Sequence, residues 1–379
     1  MTLPEINYCQ LIDRLTQSHF CFALYRMPWT DEPILVLQNE AEAETLCGLE
    51  ELNGKEGFVF APFVADSKHP VVLIHSDYTA TGWKDICNAL SQFEASHSEE
   101  WTMEEDANLP LKHNTDEAER KSKYTDAFNR FIAPLNEKTY SKLVLSRSAT
   151  HALPHEFSPI RTFVKACNAY PRMMISLCHT PVTGTWIGST PEIILSGQDT
   201  RWHTVALAGT MPIENEQIPT EWSDKNREEQ AYVSEYLRAT IRQFSKNITE
   251  KGPYTARAGQ LVHLKTDFHF KMQDTSHLGD VLKNLHPTPA VCGIPKADTY
   301  QFICNEEGYD RQYYSGIIGR LNPAADTQLY VNLRCMRIDK HTATLFAGSG
   351  ILASSTAESE WEETCEKMKT MQTILRSEE

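Results

Sequence analysis

Four glutamates, Glu360, Glu362, Glu363 and Glu366, crowd one short stretch, EWEETCEK, of a chain that is already acidic. On a wheel of about 100° per residue, Trp361, Cys365, Met368, Met371 and Leu375 form an apolar stripe, and Glu362, Glu366 and Lys369 face the other way. Glu360, Glu363 and Lys367 fall at the rim of the apolar face. The stretch SDKNREEQAYVSEYLRATIRQF repeats the signal, with Ser223 or Asp224 as N-cap. Tyr232, Val233, Tyr236, Leu237 and Thr240 make a stripe, Glu229 lies in its middle, and Glu228 points to the polar side. A carboxylate on an apolar face is protonated, paired or metal-bound, because an isolated buried charge costs too much. Two inward glutamates on two helices suit a Mg²⁺ ion shared with an anionic substrate. A buried Glu–Arg pair is the competing explanation.

Other candidates are single residues. Lys142 opens the run KLVLSR on the face of Val144 and Ser146, where a lysine is ordinarily just exposed. Glu192 follows a proline in GSTPEIIL and reads equally as a strand-edge charge. Arg334 reads as mid-strand, with Leu329, Val331, Leu333 and Cys335 filling the other face, so it needs an acid or a ligand carboxylate as partner. His286, in LHPTPAVCG, sits at a helix end, where capping is the ordinary role.

The elements that must position these groups are strands mixed with helices. Apolar runs at 20–76 (FCFALYRM, PILVLQ, GFVFAPFV, PVVLIHS) read as short strands. Residues 92–118 are polar and read as a linker, followed by a helix bearing Tyr124, Phe128, Phe131, Ile132 and Leu135. Further strands are expected at 142–147, 173–180, 185–189, 193–197, 203–209, 261–270, 313–321, 328–338 and 343–348. Helices are expected near 156–168, 224–246, 276–285, 296–306 and 358–376. The pattern predicts an α+β fold in layers.

Length (379 residues) and a 41% hydrophobic content allow a large core. A net charge of −15 argues against a nucleic-acid partner. Apolar runs are too short to span a membrane, and the start MTLPEINYCQLIDR lacks the pattern of a signal peptide. The ten scattered cysteines, with no C-x-x-C, read as buried reduced thiols in a cytoplasmic protein.

The segments KLVLSR, IGSTPEIIL, VALAGT, DKNREEQAYV, LHPTPAVCGIP, YYSGIIG, LRCMRI and LFAGSGI, the last followed by ESEWEET and Lys367, together resemble the chorismate-utilising enzymes. They run in family order from about 120 to 376. The resemblance implies stacked antiparallel β-sheets flanked by helices, with 116–379 as the chorismate-binding region and 1–115 as a divergent part of the same unit. It implies Mg²⁺ on Glu229 and Glu363, with Glu360 acting through water. It implies that Arg334 and Tyr314 bind the enolpyruvyl carboxylate, that Gly348 and Gly350 form a glycine turn offering N–H groups, and that Lys367 adds positive charge. Ala208, Gly209, Thr210 and His286 match further substrate-binding positions.

Lys142 matches a general base and Glu192 a general acid. A lysine serves as base only if burial lowers its pKa. Ammonia-using relatives generally carry Gln at the position of Lys142, and aminodeoxychorismate synthases carry a nucleophilic lysine at that of Ala208. The branch implied is isochorismate synthase, supplying menaquinone or siderophore synthesis, with salicylate synthase and a non-catalytic chorismate binder as rivals. No glutaminase subunit is expected, and the protein is expected to be a monomer. One departure stands out: EEQ follows Arg227 where relatives often have E-H or H-E-H, which bears on the surroundings of the metal.

Overall fold

The computed structural model describes residues 1–97, 116–154, 156–213, 218–219, 221–259 and 261–375. Two nine-stranded sheets pack against each other. The first runs, edge to edge, Gly293–Ile294, Lys142–Ala152, Thr342–Ile351, Cys335–Ile338, Gly184–Thr190, Met174–Thr180, Phe22–Arg26, Pro33–Leu37, Tyr78–Thr81. The second runs Ile248–Ala258, Leu261–Lys271, Arg201–Pro212, Ile193–Gln198, Thr327–Val331, Ile317–Leu321, Gly57–Ala61, Val71–Ile74, Glu44–Leu46. Every strand pairing among the described residues is antiparallel.

Alternation of side chains explains the layers. In Phe22–Arg26, Phe22 and Leu24 face a core roofed by the helices Ile6–Leu15, Trp83–Ser96, Pro159–Ala169 and Ala357–Leu375, while Ala23 and Tyr25 face the other sheet. In Gly57–Ala61, Phe58 and Phe60 join that same inter-sheet layer, and Val59 and Ala61 pack toward Asp224–Ile241 and Leu278–Leu285. Strands buried on both faces need no polar side, so they read as unbroken apolar runs. The N-terminal strands pair directly with later ones, Phe22–Arg26 with Met174–Thr180 and Gly57–Ala61 with Ile317–Leu321, and so extend both sheets.

Several sequence expectations need correction. The run 328–338 is two strands: Thr327–Val331 belongs to the second sheet and Cys335–Ile338 to the first, and Arg334 sits in the crossing with φ 43°. Its neighbour crosses likewise, from Gly184–Thr190 to Ile193–Gln198 at Pro191-Glu192. The two crossings are stitched together: Val331 N donates to Glu192 O (2.9 Å), Thr190 Oγ1 to Val331 O (2.6 Å) and Ser189 N to Arg334 O (3.2 Å). Residues 313–316 are turn, not strand. The exposed strand Ile248–Ala258 was not expected; polar and holding Gly252-Pro253, it is tolerated because it lies at a sheet edge. Of the expected linker 92–118, residues 92–96 end a helix and 117–118 begin one; 98–115 lie outside the described residues. All ten cysteines are free thiols, but Cys47 and Cys304 are exposed and Cys87 and Cys365 only half-buried. Among the described residues, no helix is long and apolar enough to cross a membrane.

Candidate active site

A cavity forms beside the two crossings, at the bulge in Arg201–Pro212, and at the end of Thr342–Ile351. Glu192, Ala208, Gly209, Thr210, Glu229, Tyr314, Arg334, Gly348, Gly350 and Lys367, all named from sequence, line it, together with His263, which was not. Its enclosed space is about 60 Å³.

Gly348 and Gly350 are not in a turn. They lie inside the strand Thr342–Ile351, opposite Ser146 and Val144 of Lys142–Ala152. Their contribution is a missing side chain: a Cβ on Gly348 would meet Tyr314 Oη at 3.0 Å, and one on Gly350 would fall 2.0 Å from Glu229 Oε1 and 3.1 Å from Lys142 Cε. Gly209 serves differently. It is the extra residue of a bulge, with φ 70°, a conformation that favours glycine.

Lys142 is fully buried, and its Nζ lies 3.0 Å from Glu229 Oε1. It is buried rather than exposed at the strand start, and the carboxylate partner was not foreseen. Two more ion pairs lie nearby, of whose residues only Lys367 lines the cavity; Lys142, Glu360 and Glu363 are not in its lining. Lys225 Nζ donates to Glu360 Oε1 (2.6 Å), and Lys367 Nζ donates both to Glu363 Oε1 (2.8 Å) and to Gly348 O (2.8 Å). Glu360, placed at the rim by the wheel, is in fact buried, with Oε2 lacking a hydrogen-bond partner among the described residues. Glu362 is exposed, as the wheel required, and Glu366 pairs with Lys369. Burial and the neighbouring Glu363 push the Glu360 carboxyl up, against the pull of Lys225. For Glu229, burial raises the pKa, but Lys142, Lys225 and Lys367 outweigh it and hold the carboxyl below its ordinary range.

Glu192 is set apart from these. Burial pushes its pKa up to about 7, only partly offset by Lys142, by Thr288 and by the charges of Arg334 and Lys367. Thr288 Oγ1 donates to Glu192 Oε1 at 3.4 Å. Arg334 is buried too, and burial lowers its pKa to about 10, with Glu192 pulling the other way. Among the described residues, no carboxylate forms an ion pair with it and its Nε has no hydrogen-bond partner. Its Nη2 instead meets His263 Nε2. Because His263 Nδ1 faces Gly209 O at 3.0 Å, Nδ1 carries the proton and Nε2 accepts from Arg334. Burial, Arg334 and Lys367 hold His263 neutral, its pKa well below the ordinary value. In sequence, His263 sat unremarked in an apolar run; its alternation with Leu261 along the strand gave no sign of the cavity.

The departure at EEQ also has a structural account. Gln230 accepts from Ala208 N (2.9 Å) and donates to Ala206 O (3.1 Å) and Thr266 Oγ1 (3.1 Å), so it ties the helix carrying Glu229 to the strand carrying Ala208. His286 is not among the residues lining this cavity. It is the C-cap of Leu278–Leu285, its N–H bonded to Leu282 O at 2.7 Å, and it borders a separate pocket.

Comparison with known proteins places these features in a lineage. The sequence model of a family described as chorismate binding enzymes matches residues 66–376. The chain is 28% identical over 263 residues to isochorismate synthase DhbC of Bacillus subtilis (65% of this chain, 66% of that protein). It is 28% identical over 265 residues to the vibriobactin-specific isochorismate synthase of Vibrio cholerae (65% of each). The matches thus span just under two thirds of either relative's length. In fold, the chain is similar to MenF, the menaquinone-specific isochorismate synthase of Escherichia coli, with a TM-score of 0.75 at 20% identity over 97% of this chain and 91% of that one.

Proposed function

The chain belongs to the family of chorismate-binding enzymes, and from that premise we propose that it is an isochorismate synthase, isomerising chorismate by adding water at C2 and losing the C4 hydroxyl. The observation that carries the reading is a single cavity holding a buried acid that titrates near neutrality, Glu192, beside a buried guanidinium with no acidic partner among the described residues, Arg334. A buried, unpaired cation is costly unless an anion completes it. Chorismate brings two carboxylates; Arg334, with Tyr314 beside it, takes that of the enolpyruvyl group.

The residues fit a hard divalent cation, and we propose Mg²⁺. Glu229, Glu360 and Glu363 offer carboxylate oxygens, and Glu360 Oε2 is buried without a partner among the described residues. No three such side chains among the described residues are already spaced as a cage. Mg²⁺ does not require such a cage, being commonly held by one or two carboxylates with water and substrate. Glu229 and Glu363 would hold it, Glu360 would act through water, and when bound it would neutralise the ring carboxylate.

The chain's own groups supply the proton transfers. In its neutral form Lys142 takes a proton from the water that adds at C2, and Glu192 gives one to the hydroxyl that departs from C4, so one water enters and one leaves. With a pKa of about 7, Glu192 still carries that proton near neutral pH. Ala208, small and apolar in the cavity wall, offers no side-chain nucleophile, which leaves the water. Incubation with chorismate and Mg²⁺, followed by chromatography, tests the reading. Isochorismate is expected. Salicylate formed in step with pyruvate would make the chain a salicylate synthase, and binding without turnover would make it a non-catalytic chorismate binder.

A further inference from the structure

A second pocket, of about 440 Å³, opens on the far side of the loop that follows Leu278–Leu285. Its walls include Phe63, Val71, Tyr300 and His286, and two lysines, Lys283 and Lys296, border it. The size falls within the range of small-molecule sites, and mostly apolar walls with a few polar groups are their usual make-up.

Two features point to a ligand rather than to idle space. His286 is buried, and its Nε2 lies 3.3 Å from Phe63 O, so that nitrogen carries the proton. Its Nδ1 is then a bare acceptor, and it has no partner among the described residues. Buried polar atoms are rarely left unpaired in native proteins. Burial, reinforced by the charge of Lys296, holds the ring neutral, with a pKa of about 4, so Nδ1 does not gain its own proton near neutral pH. Lys296 Nζ reaches two carbonyls at the end of the preceding helix, Lys283 O (3.2 Å) and Asn284 O (3.0 Å), and an ammonium has a third donor to give.

These groups define the chemistry of an occupant. The rings of Phe63, Tyr300 and His286, with Phe63 centred 5.5 Å from Tyr300 and 6.4 Å from His286, suit a flat aromatic ring. A bare acceptor asks for a hydroxyl donor, and Lys296 asks for a carboxylate; Lys283 already has one, Glu50 Oε1 at 2.7 Å. The same loop also walls the catalytic cavity: His286 and Pro287 border the second pocket, Thr288 holds Glu192, and Ala290 and Val291 line the first cavity. We propose that this pocket is a second ligand site, for a small hydroxylated aromatic carboxylate, and that its occupation slows turnover by shifting residues 286–291 against Glu192. The binding half stands on the pocket alone; the coupling half rests on the acid role proposed for Glu192.

Salicylate is a suitable probe, with benzoate and phenol as controls lacking one group each. Calorimetry on the whole protein should show salicylate binding that survives Arg334→Ala, a change in the catalytic cavity. Lys296→Met should weaken it by about tenfold or more, the worth of one hydrogen bond to a charged group. Ala297→Trp, on the exposed rim of the pocket, should plug it while leaving the thermal melt unchanged. In turnover assays salicylate should lower kcat rather than raise KM alone. Binding lost in Arg334→Ala but retained in Ala297→Trp would put the ligand in the catalytic cavity and overturn the site, as would the absence of binding at millimolar salicylate. Binding at the pocket with kcat unchanged would keep the site and overturn the coupling.

Discussion

Gly350 lies directly against Glu229: a methyl group added to Gly350 would fall 2.0 Å from Glu229 Oε1, well inside contact distance. The same methyl would approach Lys142 Cε to 3.1 Å, so one missing side chain makes room for both members of the buried ion pair. Gly350→Ala should therefore displace the carboxylate and lower turnover by about 100-fold or more, the scale of a misplaced catalytic constellation. Circular dichroism and the melting temperature should stay close to wild type, since the strand pairing with Val144 survives. Turnover near wild type in Gly350→Ala would remove Glu229 from the site.

The glutamate-rich helix Ala357–Leu375 makes a contrast within itself. Glu363→Ala, and Glu229→Ala on the other helix, should abolish nearly all turnover and raise the Mg²⁺ concentration needed for half activity. Glu362→Ala and Glu366→Ala should behave as wild type, because Glu362 is exposed and Glu366 pairs with Lys369 at the surface. A Mg²⁺ titration of all four variants checks this, and equal losses at Glu362 and Glu229 would sink the assignment.

Glu192 should impose a pH dependence. An acid that must donate a proton works while protonated, so turnover should fall as pH rises through about 7. Glu192→Gln should lose about 10²–10⁴-fold and, in its residual rate, that limb of the profile. Stability should follow the same sign. Native Glu192 keeps its proton to about pH 7, whereas the unfolded side chain loses it near the ordinary 4.5. Between those values the native state binds more protons, so this group's contribution is fully present below about 4.5 and is lost as pH rises through 7. Denaturant unfolding of wild type and Glu192→Gln at pH 5 and pH 8 should show a smaller drop with pH in the variant.

Arg334→Met should separate affinity from stability. Loss of the substrate's carboxylate partner should raise KM by about 10- to 100-fold, the worth of a charged hydrogen bond. Removing a buried charge that lacks an acidic partner should leave the melting temperature unchanged or higher. A lower melting temperature with KM unchanged would make Arg334 structural.

The proton-transfer roles predict where oxygen comes from. In ¹⁸O-labelled water, at early conversion, isochorismate should gain one heavy oxygen, at C2. Unlabelled product would mean transfer of the substrate's own hydroxyl and would remove the base role from Lys142. Mass spectrometry of the product reads the difference directly.

Helical periodicity sufficed to select Glu229 over Glu228 and to put Glu362 outside, because a helix fixes the direction of each side chain by a repeat that local sequence carries. The same wheel placed Glu360 only at the rim; its burial depends on Lys225, which comes from another helix. The continuous apolar runs marked the inner strands but could not say which partner each one has. The mid-strand reading of Arg334 failed for the same reason. A strand that leaves one sheet for the other keeps its apolar pattern across the break, and only the neighbouring crossing at Glu192 reveals where it bends.

The order and content of the motifs identified the family and about half of the cavity wall, since the residue types that line such a site are local facts. What the tertiary structure decided is which charges meet. Lys142 with Glu229, Lys225 with Glu360, His263 with Arg334, and His286 with a different pocket altogether are relationships set by how two sheets and their helices close on one another. Each of these pairs is separated by more than thirty positions in the chain, and no periodicity reaches that far; Lys367 with Glu363, four apart on one helix, is the local exception. Packing brings such groups together, and at the close distances of a buried site their energies depend on one another rather than on sequence neighbours.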